Sequence, residues 1–132
     1  MESGPSSYTE NVVKYSSEQE IFDLVTTHLL KQGATSFNTK TDSCMYRHNG
    51  LKCAVGFLIP DDEYDPFMEG FGVINLIEKF NKPCIEDMKP FVDILSELQR
   101  IHDTAPSSNW YSDLEELAND RCLEMVELTI DR

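Results

Sequence analysis

A row of carboxylates is the most regular polar pattern in the sequence. Its five acidic residues are three, four, four and three positions apart near the C-terminus: Asp113, Glu116, Asp120, Glu124 and Glu127. On one α-helix such residues fall within about 80° of one another, with axial steps of about 4.5 to 6 Å. Because this spacing approaches that of backbone phosphates, the row could present a nucleic-acid-like surface to a protein. It is equally typical of the solvated face of an acidic helix.

A second acidic group follows an apolar run in the middle of the chain. Its members are Asp61, Asp62, Glu63 and Asp65, with Glu69 close by. Carboxylates can hold Mg²⁺ or Ca²⁺, so a metal-dependent hydrolase is one hypothesis. The group does not fit a calcium-binding loop, because Pro66 stands where that loop needs glycine and Gly72 where it needs glutamate. A turn followed by a helix N-terminus, where negative charge is favourable, explains most of it.

Cysteines and histidines form a less specific pattern. The four cysteines include no C-x-x-C pair: Cys44, Cys53, Cys84 and Cys122. Cys44, His48 and Cys53 could bind zinc, with His102 or another cysteine as the fourth ligand, but zinc sites usually have closely spaced ligand pairs. We therefore expect free thiols, no catalytic residues, and no metal or other cofactor. His28 and His102 lie beside apolar helical stripes and are predicted to be boundary residues.

A small basic group lies between these acidic regions. Arg47 and Lys52 face each other across a predicted turn, with Tyr46 and Gly56 nearby. Arginine and aromatic side chains suit phosphates and bases, so a small-molecule or nucleotide-binding module, such as a sponge for a signalling nucleotide, is the alternative hypothesis. The two cations could also pair with carboxylates of the same chain.

Composition limits the classes of partner. The chain has 132 residues, a net charge of −13 and 40% hydrophobic residues. The charge disfavours direct binding to nucleic acid or to anionic membranes, whereas the apolar content is sufficient for a folded domain. Neither a membrane span nor a signal sequence is recognisable, so we expect a cytoplasmic protein. We predict a loose N-terminal arm at residues 1–15 and one compact domain at residues 16–132.

Turn and capping signals predict an α+β fold. A helix begins at Ser17, which has Glu20 three residues on, and ends at Gly33. Asn49-Gly50 predicts a β-hairpin over about residues 43–59, in which Gly56 marks a bulge or a close backbone approach. We expect a small antiparallel sheet, which a strand from residues 36–40 or from the N-terminal arm would extend, to pack against about four helices.

The second half of the chain is predicted to be helical. Asp65-Pro66 gives a helix start and an apolar stripe continues to residue 80, with Gly70 and Gly72 expected to divide the segment into a turn and a helix. A further helix begins near Glu86 or Asp87 and has Pro90 in its first turn. The last helix begins at Trp110 and carries the carboxylate row opposite its apolar face, as far as Leu128.

Residues 44–70 carry a recognisable run, CMYRHNGLKCAVGFLIPDDEYDPFMEG. It resembles a group of small, uncharacterised proteins of tailed bacteriophages and prophages that share the pattern C-x-Y…G-x-x-C-A-x-G-x-L-I-P-D…Y…M-E-G, with weaker similarity at residues 98–103. The resemblance carries no catalytic assignment. It implies an accessory protein that acts on host machinery, by blocking a defence system or by redirecting a host enzyme.

Together these observations favour a non-enzymatic protein that binds a host protein. The expected partner is a defence nuclease or another nucleic-acid-handling complex, bound through the carboxylate row and, secondarily, through the acidic group at residues 61–65. The sequence does not predict an oligomeric state.

Overall fold

The computed structural model describes residues 14–127 and has an α+β architecture, as predicted. The arm predicted at residues 1–15 lies outside the described residues except for its last two. The helices are α1 (Glu18–Gln32), α2 (Ala54–Phe57), α3 (Val73–Lys79), α4 (Pro83–Met88), α5 (Val92–Thr104) and α6 (Trp110–Asp120). The strands form two antiparallel pairs, β1 (Phe37–Asn38) with β2 (Ser43–Cys44) and β3 (Arg47–His48) with β4 (Leu51–Lys52).

The first helix has the predicted ends. The Ser17 hydroxyl accepts a hydrogen bond from the Glu20 N–H at 3.2 Å, and Glu20 in turn accepts one from the Ser16 N–H at 2.8 Å. At the other end, Gly33 has a φ of 66° and donates its N–H to the Leu29 carbonyl. Both ends therefore satisfy backbone groups that a helix terminus would leave unpaired.

The Asn49-Gly50 turn is confirmed. Asn49 and Gly50 have φ values of 52° and 81°, the left-handed conformation that a tight two-residue hairpin turn requires. Arg47 is opposite Lys52 in the register, as predicted.

The prediction that the second strand continues to residue 59 is wrong. The strand ends at Lys52, and Cys53 caps α2 by accepting the Gly56 N–H on its Sγ at 3.3 Å. A short, continuous apolar run is compatible with either a buried strand or a buried helix turn, and here tertiary packing selects the helix. Gly56 is therefore not a strand bulge, but the expected close backbone approach is present: a Cβ added there would lie 2.1 Å from the Tyr46 carbonyl oxygen.

The additional strand expected at residues 36–40 forms, but it does not extend the hairpin. Phe37 pairs with Cys44 in a separate two-stranded sheet, which the hydrogen bond from the Met45 N–H to the Ser36 carbonyl continues. The β-structure is thus divided into two short ribbons that pack against the helices.

The helix predicted from residue 86 is divided. α4 begins at Pro83, a 3₁₀ turn spans Lys89–Phe91, and α5 begins at Val92. Pro90 lies in this turn because a proline within a continuous α-helix would lose a hydrogen bond and clash with the preceding turn.

The last helix ends at Asp120, so the prediction that it continues to Leu128 is wrong. Cys122 adopts a left-handed φ of 60°, and the Leu123 N–H donates to the Ala118 carbonyl at 2.7 Å. This is the hydrogen-bond pattern that closes a helix after one left-handed residue. The following segment runs beside α1, where the Gln19 side-chain amide exchanges two hydrogen bonds of 2.9 Å with the backbone of Glu124.

One hydrophobic core lies around α5. The helix buries Ile94, Leu95 and Leu98 completely and packs against α1, α2, α3 and α6. Tyr15 also reaches this core and meets Phe91 edge to face, with ring centroids 6.3 Å apart. None of the helices within residues 14–127 combines the length and apolar character that crossing a membrane requires.

Candidate functional site

The run at residues 44–70 forms a compact unit around the Glu69 carboxylate. Glu69 Oε1 accepts the Tyr46 N–H at 2.8 Å, and Oε2 accepts the Arg47 N–H at 3.1 Å and the Tyr64 hydroxyl at 2.5 Å. The Tyr46 hydroxyl donates to the Phe71 carbonyl. The carboxylate therefore joins the hairpin to the loop that follows α2, and the distinctive residues of this run have folding roles.

The two cations of the predicted basic tip share one carboxylate of the same chain, that of Asp61. Arg47 Nη1 is 2.7 Å from Asp61 Oδ1, and Lys52 Nζ is 3.9 Å from the same oxygen. Arg47 also donates to the Ile59 carbonyl at 2.5 Å and lies 4.7 Å from the centroid of the Tyr64 ring. Of the two outcomes that the sequence left open, the described residues thus show pairing with the chain's own carboxylates.

The other two residues of the nucleotide-binding alternative are also engaged in the fold. Tyr46 is only 5% exposed, which leaves little of its ring for stacking on a base. The Gly56 N–H is directed at Cys53 Sγ.

The acidic group at residues 61–65 has mainly structural contacts. Asp61 pairs with Arg47, and Asp65 caps the 3₁₀ turn Pro66–Met68 by accepting the Phe67 N–H at 2.9 Å. Glu63 accepts the Cys84 N–H at 2.8 Å. Within the described part of the chain, this group does not bring three potential metal-ligand atoms together.

Such a convergence occurs instead at Cys44, His102 and Asp103, whose ligand atoms lie within 4.8 Å of one another. His102 is fully buried, so the prediction that it is a boundary residue is wrong. The signal in the sequence was its position on the apolar stripe of α5 beside an acidic residue.

Hydrogen bonding fixes the tautomer of His102 in a form that does not suit a metal. Nε2 accepts the Ser36 N–H at 3.0 Å, so Nδ1, which is 2.7 Å from Asp103 Oδ1, carries the proton. A metal at Nδ1 would displace this proton to Nε2, where it would face the Ser36 N–H. The thiol does not favour coordination or nucleophilic attack either, because burial and the adjacent Asp103 raise the pKa of Cys44 to about 11.

The carboxylate row is divided between two places. Asp113, Glu116 and Asp120 lie on α6 and line a groove of 230 Å³ against α5. Glu124 and Glu127 come after the helix end and lie near Gln19, at the start of α1. The row is therefore not continuous as predicted, because α6 ends before its last two members.

Two residues of α5, missed by the sequence analysis, complete this groove. Glu97 and Arg100 form an ion pair at 2.7 Å on the wall opposite α6. The hydrogen bond with Glu97 raises the pKa of Arg100, and the nearby charges of Asp113 and Glu116 raise it further. The α5–α6 groove, as we call this surface, thus has four carboxylates around one arginine.

A separate apolar groove lies between α1 and the tip of the hairpin. His28 stacks on Phe57 with ring centroids 4.2 Å apart, and its Nε2 is 2.9 Å from the Lys52 carbonyl. Burial lowers the pKa of His28, and the Lys52 ammonium acts in the same direction.

Replacing His28 with glutamine is expected to reduce the loss of stability in mild acid. In the unfolded chain His28 takes up a proton near its ordinary pKa of 6.5, whereas in the folded chain it does so only at lower pH. The stability contributed by neutral His28 is therefore fully present above pH 6.5 and is lost as the pH falls toward the lowered folded pKa. Urea unfolding of both proteins at about pH 7.5 and 5.5 measures this. Glutamine can still donate to the Lys52 carbonyl, and an equal loss in both proteins would contradict the expectation.

Comparison with known proteins gives no match: no protein-family model, curated protein or solved structure corresponds to this chain.

Proposed function

We propose that this is a phage-type accessory protein that binds a host protein through the α5–α6 groove and inhibits or redirects it. The observation that carries the proposal is the unbalanced charge of the groove, where Glu97, Asp113, Glu116 and Asp120 surround Arg100. Arg100 is already paired with Glu97. The three carboxylates that α6 contributes to the groove have no ion-pair partner within residues 14–127.

A surface of this kind favours a partner rich in lysine and arginine. The net charge of −13 adds a long-range attraction for basic proteins and repels nucleic acid. Proteins that handle nucleic acid expose basic surfaces that normally contact phosphates, so the proposed partner is a host nuclease or another nucleic-acid-handling protein of a defence system. The resemblance of residues 44–70 to phage and prophage proteins supports the same context.

No observation favours the two other hypotheses over this one. Arg47 and Lys52, which would hold a nucleotide phosphate, already face Asp61. The acidic group at residues 61–65 would need further carboxylates close by to support two-metal hydrolysis.

Reversing the charge of the groove is expected to abolish partner binding. The variant carries Asp113→Lys, Glu116→Lys and Asp120→Lys, and a matched control changes three exposed acids outside the groove lining, Glu78, Glu86 and Asp93, to lysine. Both variants change the net charge by the same amount, so a difference in partner binding between them reports on the groove surface rather than on overall charge. The measurement is capture from a bacterial lysate on immobilised protein, with mass spectrometry of what the wild type retains.

The proposal requires three results together. A nucleic-acid-handling protein is retained by the wild type and by the control variant, is lost from the groove variant, and is displaced by added duplex DNA. High salt also releases it, because screening shortens the Debye length to about 3 Å at 1 M. Equal retention by both variants, with circular dichroism showing that both are folded, would exclude the groove as the binding surface.

A further inference from the structure

A cleft separate from the α5–α6 groove lies between β2, the loop at residues 70–72 and the last turns of α5. Its volume is 380 Å³, within the range of small-molecule sites, about 300 to 1,000 Å³. Met45 and Phe71 supply partly exposed apolar surface to its walls, and the nearly buried Tyr46 also borders it. Asp103 is the one charged side chain among the lining residues in the part of the chain that the structure describes.

The Asp103 carboxylate is held in place by two buried side chains. Its Oδ1 accepts hydrogen bonds from His102 Nδ1 at 2.7 Å and from Gln99 Nε2 at 2.9 Å. These donors are themselves fixed, because the Ser36 N–H donates to His102 and the Val55 N–H donates to Gln99 Oε1 at 3.0 Å. Such a supporting shell orients a carboxylate before any ligand arrives.

The second carboxylate oxygen remains available. Within residues 14–127, both hydrogen bonds to the Asp103 carboxylate are made at Oδ1, and its side chain is 35% exposed. An ionised carboxylate only accepts hydrogen bonds, so its natural ligand group is a cationic donor. The neighbouring polar groups have other partners: the Tyr46 hydroxyl donates to the Phe71 carbonyl, both ends of the Gln99 amide are used, and the Cys44 thiol is directed at the Asp103 backbone carbonyl, 3.9 Å away.

We propose that this cleft binds a small organic cation, in which a primary ammonium or guanidinium group contacts Asp103 Oδ2 and an apolar body packs on Phe71 and Met45. The single fixed charge selects one cationic group, and the apolar walls select against a fully hydrated ion. The binding is independent of the α5–α6 groove, since the two surfaces share no lining residue.

The test is a titration of the full chain with 2-phenylethylammonium, followed by amide chemical shifts, with 2-phenylethanol as the neutral counterpart. We expect saturable shifts at Cys44, Gly70 and Gly72, with a dissociation constant of about 1 mM. The neutral alcohol is expected to bind at least about tenfold more weakly than the ammonium, because it lacks the charge-assisted hydrogen bond. No saturable shift at these residues up to about 20 mM ammonium would overturn the proposal.

Two variants separate specific binding from general attraction to an acidic protein. Asp103→Asn keeps an acceptor for His102 and Gln99 and is expected to weaken binding about tenfold, whereas Asp62→Asn, with the same change in net charge, leaves it unchanged within about twofold. Equal affinity in these two variants would show that the cation responds only to net charge and would overturn the proposal.

A third variant tests the cleft itself without changing any charge. Gly72 has a φ of −70°, and no atom lies within 4 Å of a Cβ built there. Gly72→Leu should therefore fold, and because Gly72 lines the cleft, the added side chain should narrow it and weaken binding about tenfold. Unchanged binding in a folded Gly72→Leu protein would exclude the cleft as the site.

Discussion

Replacing Gly56 with alanine is expected to lower the free energy of unfolding by about 3 kcal/mol or more, a large part of the 5 to 15 kcal/mol typical of a domain. The added Cβ would lie 2.1 Å from the Tyr46 carbonyl oxygen and 2.8 Å from its carbonyl carbon. Both atoms belong to backbone, so no side-chain rotation relieves the overlap. Tyr46 cannot move aside easily either, because its N–H is bound to Glu69 and its hydroxyl to Phe71.

Gly72→Ala is the matched control for this prediction. It makes the same chemical change at a residue whose Cβ would meet nothing within 4 Å, and its expected cost is about 1 kcal/mol or less. Urea unfolding monitored by circular dichroism gives both values. If the two variants were equally stable, the contact between α2 and the Tyr46 backbone would not be as close as described.

Structural features that depend on residues within about four positions of one another, such as caps and turns, were predicted correctly. The hydroxyl of Ser17, the left-handed turn at Asn49 and Gly50, and the cap at Asp65 all depend on local backbone geometry that the side chain itself determines. At Gly56 the sequence left a strand bulge or a close backbone approach open, and the close approach to Tyr46 is the one that forms.

Errors arose where local preference was weak and distant contacts decided. The apolar run after Lys52 suits a strand or a helix, and burial of residues 54–56 against α5 selects the helix. Neither glycine nor proline marks the end of α6 in the sequence, because Cys122 occupies the left-handed position that glycine usually takes. The Gln19 side chain, near the other end of the chain, makes two hydrogen bonds with the backbone of Glu124 and so holds the segment that follows α6.

The candidate sites were less predictable than the fold. The acidic surface was found from the residues of α6, but its other wall, Glu97 and Arg100, required knowledge of which helix packs beside it. The side chains that position the Asp103 carboxylate are themselves held by hydrogen bonds from Ser36 and Val55, which are far away in the sequence. Periodicity within one element does not contain such information.

The network around His102 leads to the second large effect, a loss of about 3 kcal/mol in unfolding free energy for His102→Leu. The leucine would leave the buried Ser36 N–H without its acceptor and would remove a donor from Asp103. It would also end the stacking on Trp110, whose ring centroid is 5.5 Å from that of His102. An unpaired buried N–H alone costs about 1 to 3 kcal/mol.

Asp103→Asn distinguishes a neutral network from an ion pair as the source of this stability. If His102 acts as a neutral Nδ1–H donor, the asparagine oxygen still accepts from it and from Gln99, and the variant loses about 1 kcal/mol or less. An imidazolium would instead place a second N–H against that of Ser36, and its stability would depend on the Asp103 charge. Urea unfolding at neutral pH measures both variants, and ¹⁵N shifts of the imidazole identify the tautomer directly. A loss in Asp103→Asn as large as that in His102→Leu would show that the charge, rather than the hydrogen-bond network, holds α5 to the segment at Ser36.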